Sequence, residues 1–400
     1  MSTSRIGTAS AYAGAVQNLS DRQQALVTLQ QNMTSGKRIN RTSDDPTSAA
    51  QAERANTRID RIAADQRLLA SQRDTISTAE STLGSSIDAL QSFRELVVSA
   101  GSGTLTPADR GYIAQQLTSL RDEIFANSNK SDSNGTPLFS GLGSADQPFT
   151  NTQQVNFAGL SGQRTGGATT VAPTLDGQAT FMNVPTGNGT FTLATGTANT
   201  GTVSVDAGSV QNPSAITGHN YTIGFAVDAT TGVKSYTVTD TTAGTTAATG
   251  TYKESGSISF DGMTMTMKGT PADGDTVAIA PSTRSDLFAT LDQAISSIKN
   301  ATSNSGALPT QIAQSLVQID SGLSRLQSSR SLAGDILNQA DRIKTSQDTR
   351  SDQLTAEKSN AEDLDMIKAV SEFSTQQTGY QAALSSYAQI QKLSLFTYIS

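Results

Sequence analysis

The stretch Met366–Tyr387, MIKAVSEFSTQQTGYQAALSSY, decides the fold. Met366, Val370, Phe373, Tyr380, Leu384 and Tyr387 recur at alternating steps of four and three once Gln377 fills the vacant place. That is the heptad spacing of a helix with a partner. Val16, Leu19, Leu26 and Met33 make a second seam near the other end of the chain. A single globular domain rarely keeps a coiled-coil half at each terminus. A subunit of a fibre or ring does, because termini that meet can be buried together in an assembly. The ten seam residues are therefore the candidate assembly interface.

Between the seams the chain alternates in character. The helix carrying the first seam is predicted to start at Ile6 or Ser10 and to run to Thr34, with Gly36 as its stop. Asp45 then caps a new start, and Pro46 suits the first helical position because its missing N–H would be unpaired there anyway. Ile59, Ile62, Leu69, Ile76, Leu83, Ile87, Leu90 and Val97 hold one face of that helix to about Ser99. At 1.5 Å per residue this is a helix on the order of 80 Å long, too long for a compact core. Thr106-Pro107-Ala108-Asp109 opens the next helix, with Ile113, Leu117, Leu120 and Ile124 as its buried face. Helices resume after Ser285, first around Leu287–Ile298 and then from about Pro309.

Residues 141–284 differ. They hold only five Lys or Arg and nine Asp or Glu, and are rich in Thr and Gly, as short strands and turns are. Ile258-Ser259-Phe260 and Met263–Met267 flank Asp261-Gly262, the pair favoured in type I′ hairpins. Met263, Met265 and Met267 alternate with Thr and so point to one side, as a packed core row. The expected fold class is multidomain α+β: a long coiled-coil-like helical bundle from both termini with an inserted β-rich domain. Its parts are an N-terminal assembly helix (1–40), a helical rod domain in two pieces (41–140 and 285–352), the outward β-rich insert (141–284) and a C-terminal assembly helix (353–400).

Composition excludes much. The hydrophobic fraction is 35%, Trp is absent and aromatics are 5%, so the core must come from aliphatic residues spread along helices. The net charge is −7 with no basic tract, which argues against nucleic acid as a partner. No apolar stretch approaches the roughly 20 residues of a membrane span, and no apolar run precedes Ala9-Ser10-Ala11 to make it a signal-peptide cleavage site. Cysteine is absent. That suits a cytosolic protein, and equally one exported by a route that forms no disulfides. With one histidine, His219, neither a zinc site nor a Ser-His-Asp site is assembled. Asp273-Gly274-Asp275 lacks the spaced oxygen ligands of a calcium loop. No cofactor, metal or catalytic residue is expected.

Several motifs resemble one family. Ser35-Gly36-Lys37-Arg38-Ile39-Asn40 followed by Ser43-Asp44-Asp45-Pro46 resembles the N-terminal signature of bacterial flagellins and flagellar hook-associated proteins. Asn134–Gly141, Phe260-Asp261-Gly262 and the C-terminal Tyr380–Leu384 and Leu393–Phe396 are similar to later segments of that family. Pro46 after the aspartate pair and the ending Leu-Ser-Leu-Phe-Thr-Tyr-Ile are similar to the hook-associated protein 3 branch. The resemblance makes Gly36, Asp44, Asp45 and Pro46 signature residues. It implies a structural, non-enzymatic subunit at the junction of hook and filament, in the extracellular flagellum. Its implied partners are its own copies in a ring, hook-associated protein 1, flagellin and a flagellar export chaperone, with neither nucleic acid nor membrane insertion. It also implies export through the flagellar type III route without a cleaved signal. Alternatives are a flagellin filament subunit, a cytosolic coiled-coil binding protein with a β insert, and an enzyme with a carboxylate-lined cleft in 141–284.

Overall fold

The computed structural model describes residues 8–151, 154–301 and 306–399, with side chains withheld at 8, 9, 11 and 390–399. The proposed helix start at Ile6 lies outside the described residues, and of the C-terminal Leu393–Phe396 motif only the helical backbone is described. Among the described residues six α-helices carry the chain: α1 Thr8–Ser35, α2 Pro46–Ala100, α3 Pro107–Ser128, α4 Leu287–Lys299, α5 Ala307–Glu362 and α6 Met366–Ile399. The chain resolves into two compact units, one of residues 1–67 and 344–400 and one of 68–343.

Local chemistry explains the helix starts in the second unit. Thr106 and Asp109 form a reciprocal capping box at α3, with Asp109 N donating to Thr106 Oγ1 at 3.2 Å and Thr106 N donating to Asp109 Oδ2 at 3.1 Å. Asp286 caps α4 by accepting from the Ala289 amide at 2.6 Å. α2 and α5 run antiparallel here. Arg73 pairs with Asp341, Glu80 with Arg330 and Arg94 with Asp320. These pairs are solvent-exposed and worth roughly 0–1 kcal/mol each, so they set register more than stability. Stability comes from the face between them. Leu69, Ile76, Leu83, Leu90 and Val97 of α2 are buried with Ile319, Leu326 and Ala333 of α5 and Leu117 and Ile124 of α3, at about 1.5–3 kcal/mol per large side chain.

The stretch 138–185 joins this helical core. Two short antiparallel strands, β1 Phe149–Thr150 and β2 Asn156–Phe157, and a π-helical turn at Gln178–Met182 set Phe149, Phe181, Val171 and Leu175 into it. An aromatic cluster results. Phe288 of α4 stacks on Phe181 at 6.0 Å and meets Phe125 edge-on at 5.5 Å and Phe149 at 6.1 Å. Arg121 lies 5.6 Å from the Phe288 ring while holding Asp292 through two nitrogens at 2.9 and 3.0 Å.

A second core belongs to the β module. After β3 (Val184–Pro185) come β4 Phe191–Thr195, β5 Ser204–Val205, β6 Ser209–Val210, β7 Tyr221–Val227, β8 Lys234–Asp240, β9 Thr245–Thr251, β10 Ser257–Phe260, β11 Met263–Lys268, β12 Thr276–Pro281 and β13 Arg284–Ser285. β4-β12-β7-β8-β9 form a five-stranded antiparallel sheet, and β10-β11-β5, with β6 also on β11, form a second. The hairpin at Asp261-Gly262 pairs Phe260 with Met263. Met263, Met265 and Met267 are buried among Val205, Ile223, Phe225 and Val277, so the methionine row packs a core. Its period of two is what a half-buried strand requires.

The module begins and ends at one place. β3 pairs with β13, the Thr186 amide donates to Thr283 O at 2.9 Å, and the Thr283 amide donates to Thr186 Oγ1 at 2.8 Å. Chain ends this close can be joined by a turn. A variant with 187–282 replaced by Asn-Gly is expected to keep its helical circular dichroism and unfold cooperatively. Collapse of the helical signal would mean that the two cores depend on each other.

Candidate assembly site

The first compact unit carries both sequence seams. α1 and α6 lie antiparallel in it. The Tyr387 hydroxyl donates to the Tyr12 hydroxyl at 2.6 Å, with ring centroids 5.5 Å apart. Further along, a side chain at Gly379 would come within 2.8 Å of Arg22 Nη1. Next, Ala25, Leu29 and Asn32 line a shallow groove with Ser371, Glu372 and Thr375.

Burial sorts the predicted seam residues into two sets. On α6 Ala369, Phe373, Gln376, Tyr380, Ala383 and Tyr387 are buried or half-buried, again at steps of four and three, with Gly379 half-buried beside Tyr380. On α1 they include Ala15, Leu19, Leu26, Leu29 and Met33. Leu19, Leu26, Met33, Phe373, Tyr380 and Tyr387 are thus brought into the contact between the terminal helices. Val16, Met366, Val370 and Leu384 are not: they stay exposed, Leu384 at 40% and Val370 at 51%, beside Ile367 at 87%. Small Ala and polar Gln at three contact positions hid the inner row from a hydrophobicity search, whereas the outer row carries the larger aliphatic side chains.

Where α1 ends, the signature residues build a clasp onto the break between α5 and α6. Gly36 has φ +69°, which glycine adopts without strain, and its carbonyl accepts from the Leu364 amide at 3.0 Å. Lys37 bridges Asp363 through backbone and pairs with Glu362 at 3.2 Å. Arg38 does three things: its amide donates to Glu362 O at 2.7 Å, Nη2 to Ala361 O at 2.7 Å and Nη1 to Asp45 Oδ2 at 3.2 Å. The guanidinium thereby satisfies a carbonyl that the end of α5 leaves unpaired. Asp44 Oδ2 accepts from the amides of Asn40 and Arg41 at 3.1 and 2.8 Å, which folds the connecting loop. Asp45 caps α2, accepting from the Ser48 amide at 3.2 Å, and Pro46 is the first helical residue. A groove of about 670 Å³ opens beside the clasp, lined by Ile39, Arg41, Ala50, Glu53, Lys358 and Glu362.

Hydrogen bonds hold several aspartates below the ordinary value of 3.8, among them Asp45 through Thr47 and Ser48, Asp109 through Thr106, and Asp228 through the amides of Thr231 and Thr230. Lowered carboxyl values add stability that is complete above the ordinary value and disappears as pH falls through the folded one. Acid titration followed by circular dichroism should therefore show a plateau down to about pH 4 and loss of helix below it. A transition centred near pH 6 would contradict this assignment. In the β module His219 Nδ1 lies 2.7 Å from Asp240 Oδ2, and the Tyr221 hydroxyl donates to Asp261 at 2.7 Å. These pairs tie turns to strands; burial first, then Asp261, pushes the Tyr221 hydroxyl up to about 12.

Comparison with known proteins agrees with this architecture. The family model of the bacterial flagellin N-terminal helical region matches residues 6–144, and that of the C-terminal helical region matches residues 316–399. The flagellar junction protein FlgL of Legionella pneumophila is similar in structure, with TM-score 0.67, 31% identity, and coverage of 73% of this chain and 99% of that one. Flagellar hook-associated protein 3 of Salmonella typhimurium is 33% identical over 36% of this chain and 46% of its own length. That of Escherichia coli is 28% identical over 48% and 59%. The chain thus spans about half the length of the curated relatives it matches. The helical frame, with its two family regions at the ends of one chain, defines a flagellin-like protein. Within that class, the chain belongs to the family of flagellar hook-associated protein 3, the junction proteins. Among the described residues, no helix is long and apolar enough to cross a membrane.

Proposed function

We propose that this chain is a structural subunit that joins hook to filament in the bacterial flagellum, assembling with its own copies through the terminal helices. The observation that carries the proposal is the outer apolar row. Val16, Met366, Val370 and Leu384 remain exposed after α1 and α6 have paired, and exposed apolar rows on paired helices favour further association. In this reading copies close into a ring, hook-associated protein 1 seats one side and flagellin the other. A flagellar export chaperone covers the C-terminal helix before the chain leaves the cell by the type III route. The protein then works outside the cell and catalyses nothing.

Because the matched family regions are those of flagellin, a filament subunit is the second reading. Immunogold labelling of isolated flagella separates the two. A junction subunit is expected as a single label zone at the distal end of the hook. Label along the whole filament would make it a flagellin, and absence from purified flagella would leave a coiled-coil binding protein inside the cell.

A further inference from the structure

We propose that the β module is latched to the helical core, not fused to it, and that the first turn of α5 is the latch. Besides the β3/β13 neck, β5 is where the module's backbone is hydrogen-bonded by α5. One edge of β5 pairs with β11. On the other, α5 supplies the partners a neighbouring strand would otherwise give. The Val205 amide donates to Thr310 Oγ1 at 3.0 Å, and that hydroxyl donates in turn to Gly306 O at 3.0 Å. Gln314 Nε2 reaches Asp206 O at 3.4 Å. Gly306 lets the backbones touch: a Cβ there would sit 1.9 Å from Val203 O. A helix covering an open strand edge is one way proteins keep that edge from pairing elsewhere.

The rest of the junction holds little. The two apolar cores are separate clusters. Between sheet and helices lies a cleft of about 400 Å³ whose lining, including Thr192, Ala194, Ala280, Gln293, Gln311 and Ser315, carries no charged side chain. Gln314 is 8% exposed and its Oε1 has no hydrogen-bond partner. A polar junction of this kind gains little from burial, and its few hydrogen bonds contribute modestly. The neck, two residues per strand, is short enough to act as a hinge. Closed and released states then differ mainly by the β5–α5 contacts, so one atom at Gly306 should shift the population.

The test uses the full chain. It has no cysteine, so Tyr112→Cys on α3 and Val233→Cys on the β7–β8 turn, both exposed, can be spin-labelled without background. Pulsed dipolar spectroscopy of this parent should give one narrow distance distribution. Adding Gly306→Val should broaden or displace it. Gly334→Val, inside α5 with open space around it, should leave it unchanged. A Gly306→Val distribution matching the parent's would overturn the latch. If Gly306→Val does not fold, Thr310→Val decides by hydrogen exchange. Val205 amide exchange should quicken roughly tenfold while that of Ile258, in the β10–β11 hairpin, holds. No change at Val205, or equal acceleration at both, would refute the proposal.

Discussion

Replacing Phe288 by alanine is expected to cost the helical core about 3–5 kcal/mol, the usual range for a fully enclosed aromatic. Phe288 is completely buried and sits where α3, α4, the π-helical turn and β1 converge. Its removal takes ring contacts from Phe125, Phe149 and Phe181 and uncovers the Arg121 guanidinium. The cavity would border a buried guanidinium held by Asp292 and Asp122, so collapse of the site is hindered. Phe288→Leu keeps much of the volume and should cost far less. Urea unfolding followed at 222 nm measures both. Ile258→Ala in the β module is the reference, since it empties the other core and should leave the helical transition in place. A Phe288→Ala loss below about 1 kcal/mol would mean that the aromatic cluster is not the packing centre.

The position of Phe288 also shows what the sequence could and could not convey. The helix faces were legible because their period is local: Leu69 to Val97, Leu117 and Ile124, Leu287 to Ile298 are all read from spacing alone. Caps were legible too, since Thr106-Pro107-Ala108-Asp109 and Asp45-Pro46 place carboxylates and prolines where orphan amides want them. The destination of Phe149 and Phe181 was not. They lie in a Gly- and Thr-rich stretch with no run of regular periodicity, and their burial depends on α4, more than a hundred residues later in the sequence. Composition assigned 141–185 to the β-rich insert, whereas contacts assign it to the helical core.

The terminal helices pose the same problem in a sharper form. A heptad step is visible in Met366–Tyr387, but two overlapping rows share it. Phe373, Tyr380 and Tyr387 belong to both rows. Ala369, Gln376 and Ala383 complete the inner one, and their modest size lets α1 approach. Hydrophobicity favours the outer one, because its exposed positions carry Met, Val and Leu. Local pattern gives the helix and the need for a partner; which row meets which partner follows only from three-dimensional packing. The signature residues Gly36, Asp44, Asp45 and Pro46 gain a physical account from the clasp. They reverse the chain, fold the loop and restart the helix within ten residues.

Leu384→Asp should abolish filament attachment while sparing the fold of the subunit. Leu384 is 40% exposed in the free chain, so an aspartate there keeps much of its hydration and should shift thermal unfolding by less than about 0.5 kcal/mol, as surface changes do. In the assembly the same position would be covered by a neighbouring copy. An unpaired carboxylate would then cost several kcal/mol, added to about 2 kcal/mol of lost leucine burial. Repeated around a closed ring, that loss is prohibitive. Phe373→Asp is the contrasting variant. Phe373 lies on the inner row, so its replacement should already loosen α6 from α1 in the monomer, seen as faster protease cleavage of both terminal helices. Leu384→Met keeps volume and hydrophobicity and should behave as wild type. Cells carrying Leu384→Asp should export the subunit, build hooks, lose motility and release flagellin into the medium. Normal filaments on those cells would show that the outer row is not the surface through which copies meet, and the groove beside the clasp at Ile39, Arg41 and Lys358 would become the next surface to mutate.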